Sequence, residues 1–153
     1  MRNISDIIEA YIKQIIDSSP SDIVEMKRSE MADKFSCVPS QINYVINTRF
    51  TVERGYLVES KRGGGGYIRI MKIKLHDRSD MIDQAIEVTG NNVTQPAAES
   101  IVLRLFEEKI ITQREARMIV GIMDRSVLNL DLPYRDQLRA SLLKTMLQTL
   151  KFK

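Results

Sequence analysis

Between residues 39 and 50 the chain sets Gln41, Asn43, Asn47 and Arg49 among Ser40, Tyr44 and Thr48. Carboxamides that donate and accept side by side can pair bidentately with adenine, and a guanidinium with guanine, across a major groove. Hydroxyls and nearby cations suit phosphate oxygens, which fix a protein's register on a duplex without reading its sequence. Lys27, Arg28 and Ser29, a little upstream, extend that second set. The competing reading is a polar helix face turned to water. Such faces are commonly built from Glu/Lys pairs, and here amides and hydroxyls take their place.

A second cluster is Lys61-Arg62-Gly63-Gly64-Gly65-Gly66-Tyr67. Two cations stand beside a backbone slim enough for a narrow groove, and an arginine entering the minor groove gains from the concentrated negative potential of A·T-rich DNA. The phosphate-cradling loop of a nucleotide binder would need a Gly-Lys-Ser/Thr run with a helix opening behind it, and neither follows. A turn without function is the remaining alternative, but four glycines weaken a hairpin and so call for a reason.

Nothing else assembles a reaction centre. Cys37 has no neighbouring histidine in sequence to activate it and reads as a small, partly buried residue. His76 reads as a linker residue, and one cysteine with one histidine builds neither a zinc site nor a disulfide. Glu107, Glu108 and Glu115 are spaced as solvated faces, and the eight methionines read as adaptable core filler. The expectation is a protein with no catalytic residues, metal or cofactor.

These side chains need elements to hold them. Ile4, Ile7, Ile8, Tyr11, Ile12, Ile15 and Ile16 fall at the spacing of a buried helical stripe, with Asp6, Glu9, Lys13, Gln14 and Asp17 opposite. Ser18-Ser19-Pro20-Ser21 stops that helix. A short helix is expected from Ser29, an N-cap type, through Phe35, then a turn at Ser36-Cys37-Val38. Pro39 opens a third helix, to about Phe50, whose inner face is Ile42, Val45 and Ile46. The period then changes: Gly55–Ser60 and Tyr67–Lys74 read as two strands, making the glycine run the flexible tip of a hairpin. Helix, helix-turn-helix and hairpin in this order describe a winged helix-turn-helix domain.

From residue 75 the pattern is helical. Segments are expected at Asp77–Val88, at Gln95–Ile110, from a Thr112-Gln-Arg-Glu115 capping box to about Met123, and from Pro133 onward with Leu138, Leu142, Leu143, Met146, Leu147 and Leu150 in phase. The expected fold is therefore mainly α with a small β-hairpin. A winged helix-turn-helix domain spans 1–74, and a four-helix dimerisation domain spans 75–153. Four short helices bury little unless they pack together, and two DNA-reading modules multiply specificity when joined.

The whole chain of 153 residues carries only +3, but the charge is unevenly spread. Residues 27–74 hold ten Lys/Arg against four Asp/Glu, residues 1–26 hold two against five, and residues 75–153 hold eleven of each. The basic excess surrounds the candidate reading helix and hairpin. Apolar runs fall short of the roughly 18–20 residues that cross a bilayer. The opening residues lack a secretory pattern, so a cytoplasmic protein is expected. The alternative function is a small RNA-binding or regulatory interaction protein gripping single strands with the basic hairpin. Only Tyr44 and Tyr67 would serve it for stacking, which favours duplex DNA.

The stretch Lys27-Arg-Ser-Glu-Met-Ala-Asp-Lys-Phe-Ser-Cys-Val-Pro-Ser-Gln-Ile-Asn-Tyr-Val-Ile-Asn-Thr-Arg-Phe50, followed by Glu53-Arg-Gly-Tyr-Leu-Val-Glu-Ser-Lys-Arg-Gly-Gly-Gly-Gly-Tyr-Ile-Arg-Ile70, closely resembles the CtsR family. These are repressors of class three heat-shock (clp protease and chaperone) genes in Gram-positive bacteria of low G+C content. The resemblance covers the whole chain and is most specific at the helix-turn-helix and wing. It implies a cytoplasmic homodimer, nucleoid-associated when bound to a directly repeated heptanucleotide operator. It also implies a glycine-rich wing that senses heat, a role falling on Gly63 to Gly66, with Arg62 in the minor groove. Implied partners are the arginine kinase McsB with its activator McsA, and the ClpC/ClpP protease. Phosphorylation removes a guanidinium's positive charge and adds negative charge, which makes Arg28, Arg49 and Arg62 the expected targets.

Overall fold

In the computed structural model, which describes residues 3–60, 66–74 and 77–151, the chain divides into two units, residues 1–73 and 74–153. Lys61, Arg62, Gly63, Gly64, Gly65 and His76 lie outside the described residues.

The first unit starts with α1 (Ile4–Ser18), where the Asn3 side chain caps the backbone N–H of Asp6. Ile8, Ile12 and Ile16 are wholly buried, each at the four-residue spacing that keeps one helix face against a core. Burying each such side chain contributes about 1.5–3 kcal/mol relative to exposure. Next comes β1 (Ile23–Lys27), an element the sequence reading did not include. It leads directly into α2 (Arg28–Lys34), then α3 (Pro39–Arg49) with Pro39 in its first turn as expected. A 3-10 turn at Val52–Arg54 ends on Gly55, whose φ of 97° favours glycine. It delivers the chain to β2 (Tyr56–Ser60), and β3 (Tyr67–Lys72) returns antiparallel to it.

The expected two-stranded hairpin is thus part of a three-stranded antiparallel sheet of order β1-β3-β2. Val24 and Met26 of β1 pair with Ile70 and Ile68 of β3, so the buried faces of the two strands coincide. Ser29 is not the cap of α2. Because β1 runs straight into the helix, the last extended residue is Lys27 (φ −95°, ψ 133°), and no side chain caps that end. The core joins Ile8, Ile12 and Ile16 to Met31, Ile42, Val45, Ile46, Phe50, Ile68 and Ile70. Helix α3 is thereby held with one face inward and the other outward.

The second unit is four helices: α4 (Arg78–Thr89), α5 (Gln95–Glu107), α6 (Gln113–Met123) and α7 (Tyr134–Lys151). Asp77, Thr94 and Thr112 cap the first three, and Thr112 with Glu115 completes the expected capping box. Ile82, Ile101, Val102, Leu105, Met123, Leu143 and Leu147 form its core. Inside that unit Arg139 is 1% exposed, a placement no sequence pattern announced. Its Nε donates to the Met123 carbonyl at 2.9 Å, and its Nη1 donates to the Val93 carbonyl at 3.1 Å and to Asp136 Oδ1 at 2.6 Å. Paired and hydrogen-bonded in this way, a buried charge ties the end of α6 and the approach to α5 onto α7.

Candidate nucleic-acid interface

Helix phase sorts the polar residues of α3 into two sets. Ser40, Asn43, Tyr44, Asn47 and Thr48 recur at i, i+3, i+4, i+7 and i+8, and all five are exposed. They make one continuous stripe, opposite the buried Ile42, Val45 and Ile46. The Thr48 hydroxyl donates to the Tyr44 carbonyl at 2.6 Å. The Asn47 side chain and the Tyr44 ring, the latter 55% exposed, lie on the outer surface. This stripe has the width and chemistry to lie in a major groove.

Gln41 and Arg49, eight residues apart, fall on the flank toward α1. The Gln41 amide donates to Ser5 Oγ at 2.8 Å. Arg49 Nη1 donates to Glu9 Oε1 at 2.6 Å and to Asp6 Oδ1 at 3.0 Å. The expected base contacts for these two residues therefore meet a different arrangement: both side chains fasten α3 to α1. Glu9 in turn is far from the solvated residue its sequence position implied, since its side chain is only 15% exposed. Burial alone would raise its carboxyl pKa, but hydrogen bonds from Lys13 and Arg49 outweigh that and hold it below the ordinary value. The Glu9 and Asp6 hydrogen bonds likewise push the Arg49 guanidinium up.

Arg28 occupies the corner where α2, α3 and the sheet meet. Its Nε donates to Asn43 Oδ1 at 2.5 Å, its Nη2 to Ser60 Oγ at 2.9 Å, and its Nη1 to the Gly66 carbonyl at 3.3 Å. The Arg28 backbone N–H reaches the same carbonyl at 3.4 Å. Gly66 has φ +71°, a conformation that favours glycine. The ends of β2 and β3 are thus tied to the exposed stripe through one guanidinium. Lys27 lies opposite Tyr67 in the β1–β3 ladder and places its ammonium 5.1 Å from that ring's centroid, while Ser29 is exposed beside it. Of the expected wing residues, Gly66 is therefore brought to the stripe, and Lys61, Arg62 and Gly63 to Gly65 are outside the described residues.

Comparison with known proteins agrees with this geometry. Residues 3–74 match the model of the CtsR N-terminal HTH domain, and residues 77–148 that of the CtsR C-terminal dimerization domain. The transcriptional regulator CtsR of Geobacillus stearothermophilus is 63% identical over 153 residues, covering all of both chains. That of Bacillus subtilis (strain 168) is 60% identical over 151 residues, covering 99% of this chain and 98% of its own. A crystal structure of CtsR in complex with a 26-bp DNA duplex superposes with a TM-score of 0.90 at 63% identity, covering 99% of this chain and 100% of the other. With both halves matched in order and the whole length aligned, the chain belongs to the CtsR family.

Proposed function

We propose that this chain is a sequence-specific, double-stranded DNA-binding transcriptional repressor of heat-shock, clp protease and chaperone genes, acting as a homodimer on a direct-repeat operator. The observation that carries this reading is the exposed stripe Ser40-Asn43-Tyr44-Asn47-Thr48 on a helix braced from behind by α1 and from the side by Arg28. Asn43 and Asn47 contact base edges. Ser40, Tyr44, Thr48, Lys27 and Ser29 contact phosphates. Gln41 and Arg49 support the helix, while Lys61, Arg62 and Gly63 to Gly66 form the wing contact with the minor groove. The second unit joins two copies. It leaves Leu103, Phe106, Met118 and Ile122 of α5 and α6 at least one-third exposed, an apolar surface suited to a second copy. The site of action is the cytoplasm, on the nucleoid.

Heat release follows from composition. Ordering four glycines in a groove has a large conformational-entropy cost, and its free-energy weight rises with temperature. Gly64→Pro shortens the list of conformations to be lost and shifts the release temperature, measured by operator binding across a temperature series. The repressor's other partners are the arginine kinase McsB with McsA, and the ClpC/ClpP protease. A phosphate on Arg28 would remove the donor fork now held by Asn43, Ser60 and Gly66, and one on Arg49 would oppose Asp6 and Glu9. Arg62 remains the third target.

Single-strand binding is the less favoured reading, because it calls for a row of open aromatic faces. Lys27 covers Tyr67, so in the first unit only Tyr44 is left as an open platform among the described residues. Alanine substitution at Asn43 or Asn47 tests the assignment. Affinity for a duplex carrying the directly repeated heptanucleotide falls while the melting temperature holds. Unchanged affinity in both variants contradicts it.

A further inference from the structure

We infer that the second unit holds a binding site for a small organic acid, a single carboxylate on an apolar body. The site is the cleft between the start of α5, the α6–α7 connection and the first turns of α7. It measures about 390 Å³, within the range of small-molecule sites, and Arg125, Arg135 and Arg139 line it together with the carboxylates Glu99 and Asp136. All of these residues belong to the second unit, so the inference does not depend on the DNA-reading role of α3.

The three arginines are not alike. Arg139 is 1% exposed, and its Nε and Nη1 are engaged by the Met123 and Val93 carbonyls and by Asp136. Its Nη2 has no acceptor among the described residues. A desolvated donor without an acceptor is costly, and an anion in the cleft supplies one. Arg125 and Arg135 make no side-chain hydrogen bond or ion pair among the described residues, so two whole guanidinium forks border the same space. Arg125 is placed by its backbone, whose N–H donates to Gln95 Oε1 at 3.1 Å. Gln95 Nε2 in turn donates to Asp124 Oδ2 at 3.0 Å and to Glu99 Oε1 at 3.1 Å. The two lining carboxylates are thus already engaged, Glu99 by Gln95 and Asp136 by Arg139, and the uncommitted charge in the cleft is cationic.

Charge also decides the valence of the ligand. Three guanidiniums against two carboxylates leave one positive charge, which a carboxylate cancels and a phosphate dianion would reverse. A guanidinium fork matches the two oxygens of a carboxylate, which fixes the ligand's orientation as well as its charge. Pro96 and Leu132 give the cleft an apolar wall, and Leu132 is 59% exposed, a large apolar side chain for the body of the acid to cover.

Isothermal titration of the full-length chain with benzoate, benzamide and inorganic phosphate tests this. Benzoate binds once per chain. Benzamide, its neutral counterpart, binds about tenfold more weakly or worse, the loss of one charge-assisted hydrogen bond. Inorganic phosphate also binds more weakly than benzoate. Arg125→Gln and Arg135→Gln each lower benzoate affinity by about tenfold. Leu132→Ser lowers it too but keeps the preference for benzoate over benzamide. Melting temperatures of the three variants without ligand stay near the wild-type value, which separates lost binding from lost folding; Arg125 and Leu132 are exposed, so at least two of the variants give a reading. Equal affinity for benzoate and benzamide, a preference for phosphate, or benzoate affinity unchanged in both arginine variants overturns the inference. So does the absence of saturable benzoate binding to the wild type.

Discussion

Two residues on one helix are held in different ways. Asn47 lies on the exposed stripe of α3, whereas Arg49 is committed to Glu9 and Asp6. Asn47→Ala is expected to cost about 1–3 kcal/mol of operator binding and to relax preference at one base position. Its unfolding free energy should move by no more than about 0.5 kcal/mol, as for surface changes generally. Arg49→Ala should behave in the opposite way. Its pairing is neither fully exposed nor fully buried, at 24% and 15% side-chain exposure for Arg49 and Glu9, so the loss falls between the two regimes, at about 1–3 kcal/mol of stability. Base preference in that variant should survive. Denaturant melts and a base-substitution panel on the two proteins check both statements together. The sequence placed Gln41 and Arg49 with the groove-facing residues of this helix, and the structure puts both side chains on the flank bonded to α1. That placement depends on where α1 packs, and the acidic pair Asp6 and Glu9 reads as solvated until the neighbour that neutralises it is placed.

At the level of elements, the link between α1 and α3 gives the first unit a defined acid response. The Glu9 carboxyl is depressed in the folded state, so its stabilisation is complete above the ordinary glutamate value and is lost as pH falls through the lowered folded value. The Glu9 and Asp6 hydrogen bonds raise the already high Arg49 guanidinium further, so its share is lost only in strong alkali and the link is insensitive to pH across the neutral range. Urea midpoints of wild type and Glu9→Gln should differ at pH 7, and the gap should narrow in acid as pH falls through the lowered Glu9 value. A gap of equal size at pH 7 and in acid would contradict the pairing. In the second unit the corresponding element-level device is Arg139. Arg139→Ala leaves the buried Met123 and Val93 carbonyls without their donor, takes the partner from the part-buried Asp136, and is expected to destabilise by about 3–5 kcal/mol. Thr112→Ala, which removes only a cap, should cost about 1 kcal/mol. Calorimetry on the two variants checks the ranking. The Thr112–Glu115 capping box and the periodic stripes were legible because they are local, whereas the expected Ser29 cap failed because β1 runs straight into α2. The strand β1 was not, since five residues with only Val24 and Met26 buried carry too little alternation to stand out before β3 pairs with them. Arg139 was equally silent, because two of its three partners come from 16 and 46 residues away.

The whole molecule combines a basic reading unit with a charge-balanced helical unit, and the near-neutral total hides that contrast. Both matched domains and their order were readable from the helix-turn-helix stretch, the glycine run and the change back to helical periodicity. The consequence for binding is a strong salt dependence. Each phosphate contact lowers the slope of log affinity against log salt by about 0.9, and a dimer doubles the number of contacts. The most direct test of the account is the equilibrium affinity of the full-length chain, at physiological salt, for three nucleic acids: a duplex with the directly repeated heptanucleotide, a scrambled duplex of the same composition, and the single strand of the first. The account predicts that the repeat duplex binds at least about 10³-fold more tightly than the scrambled one, with the single strand no better than the scrambled duplex. Equal affinity for the two duplexes, or preference for the single strand, would contradict it.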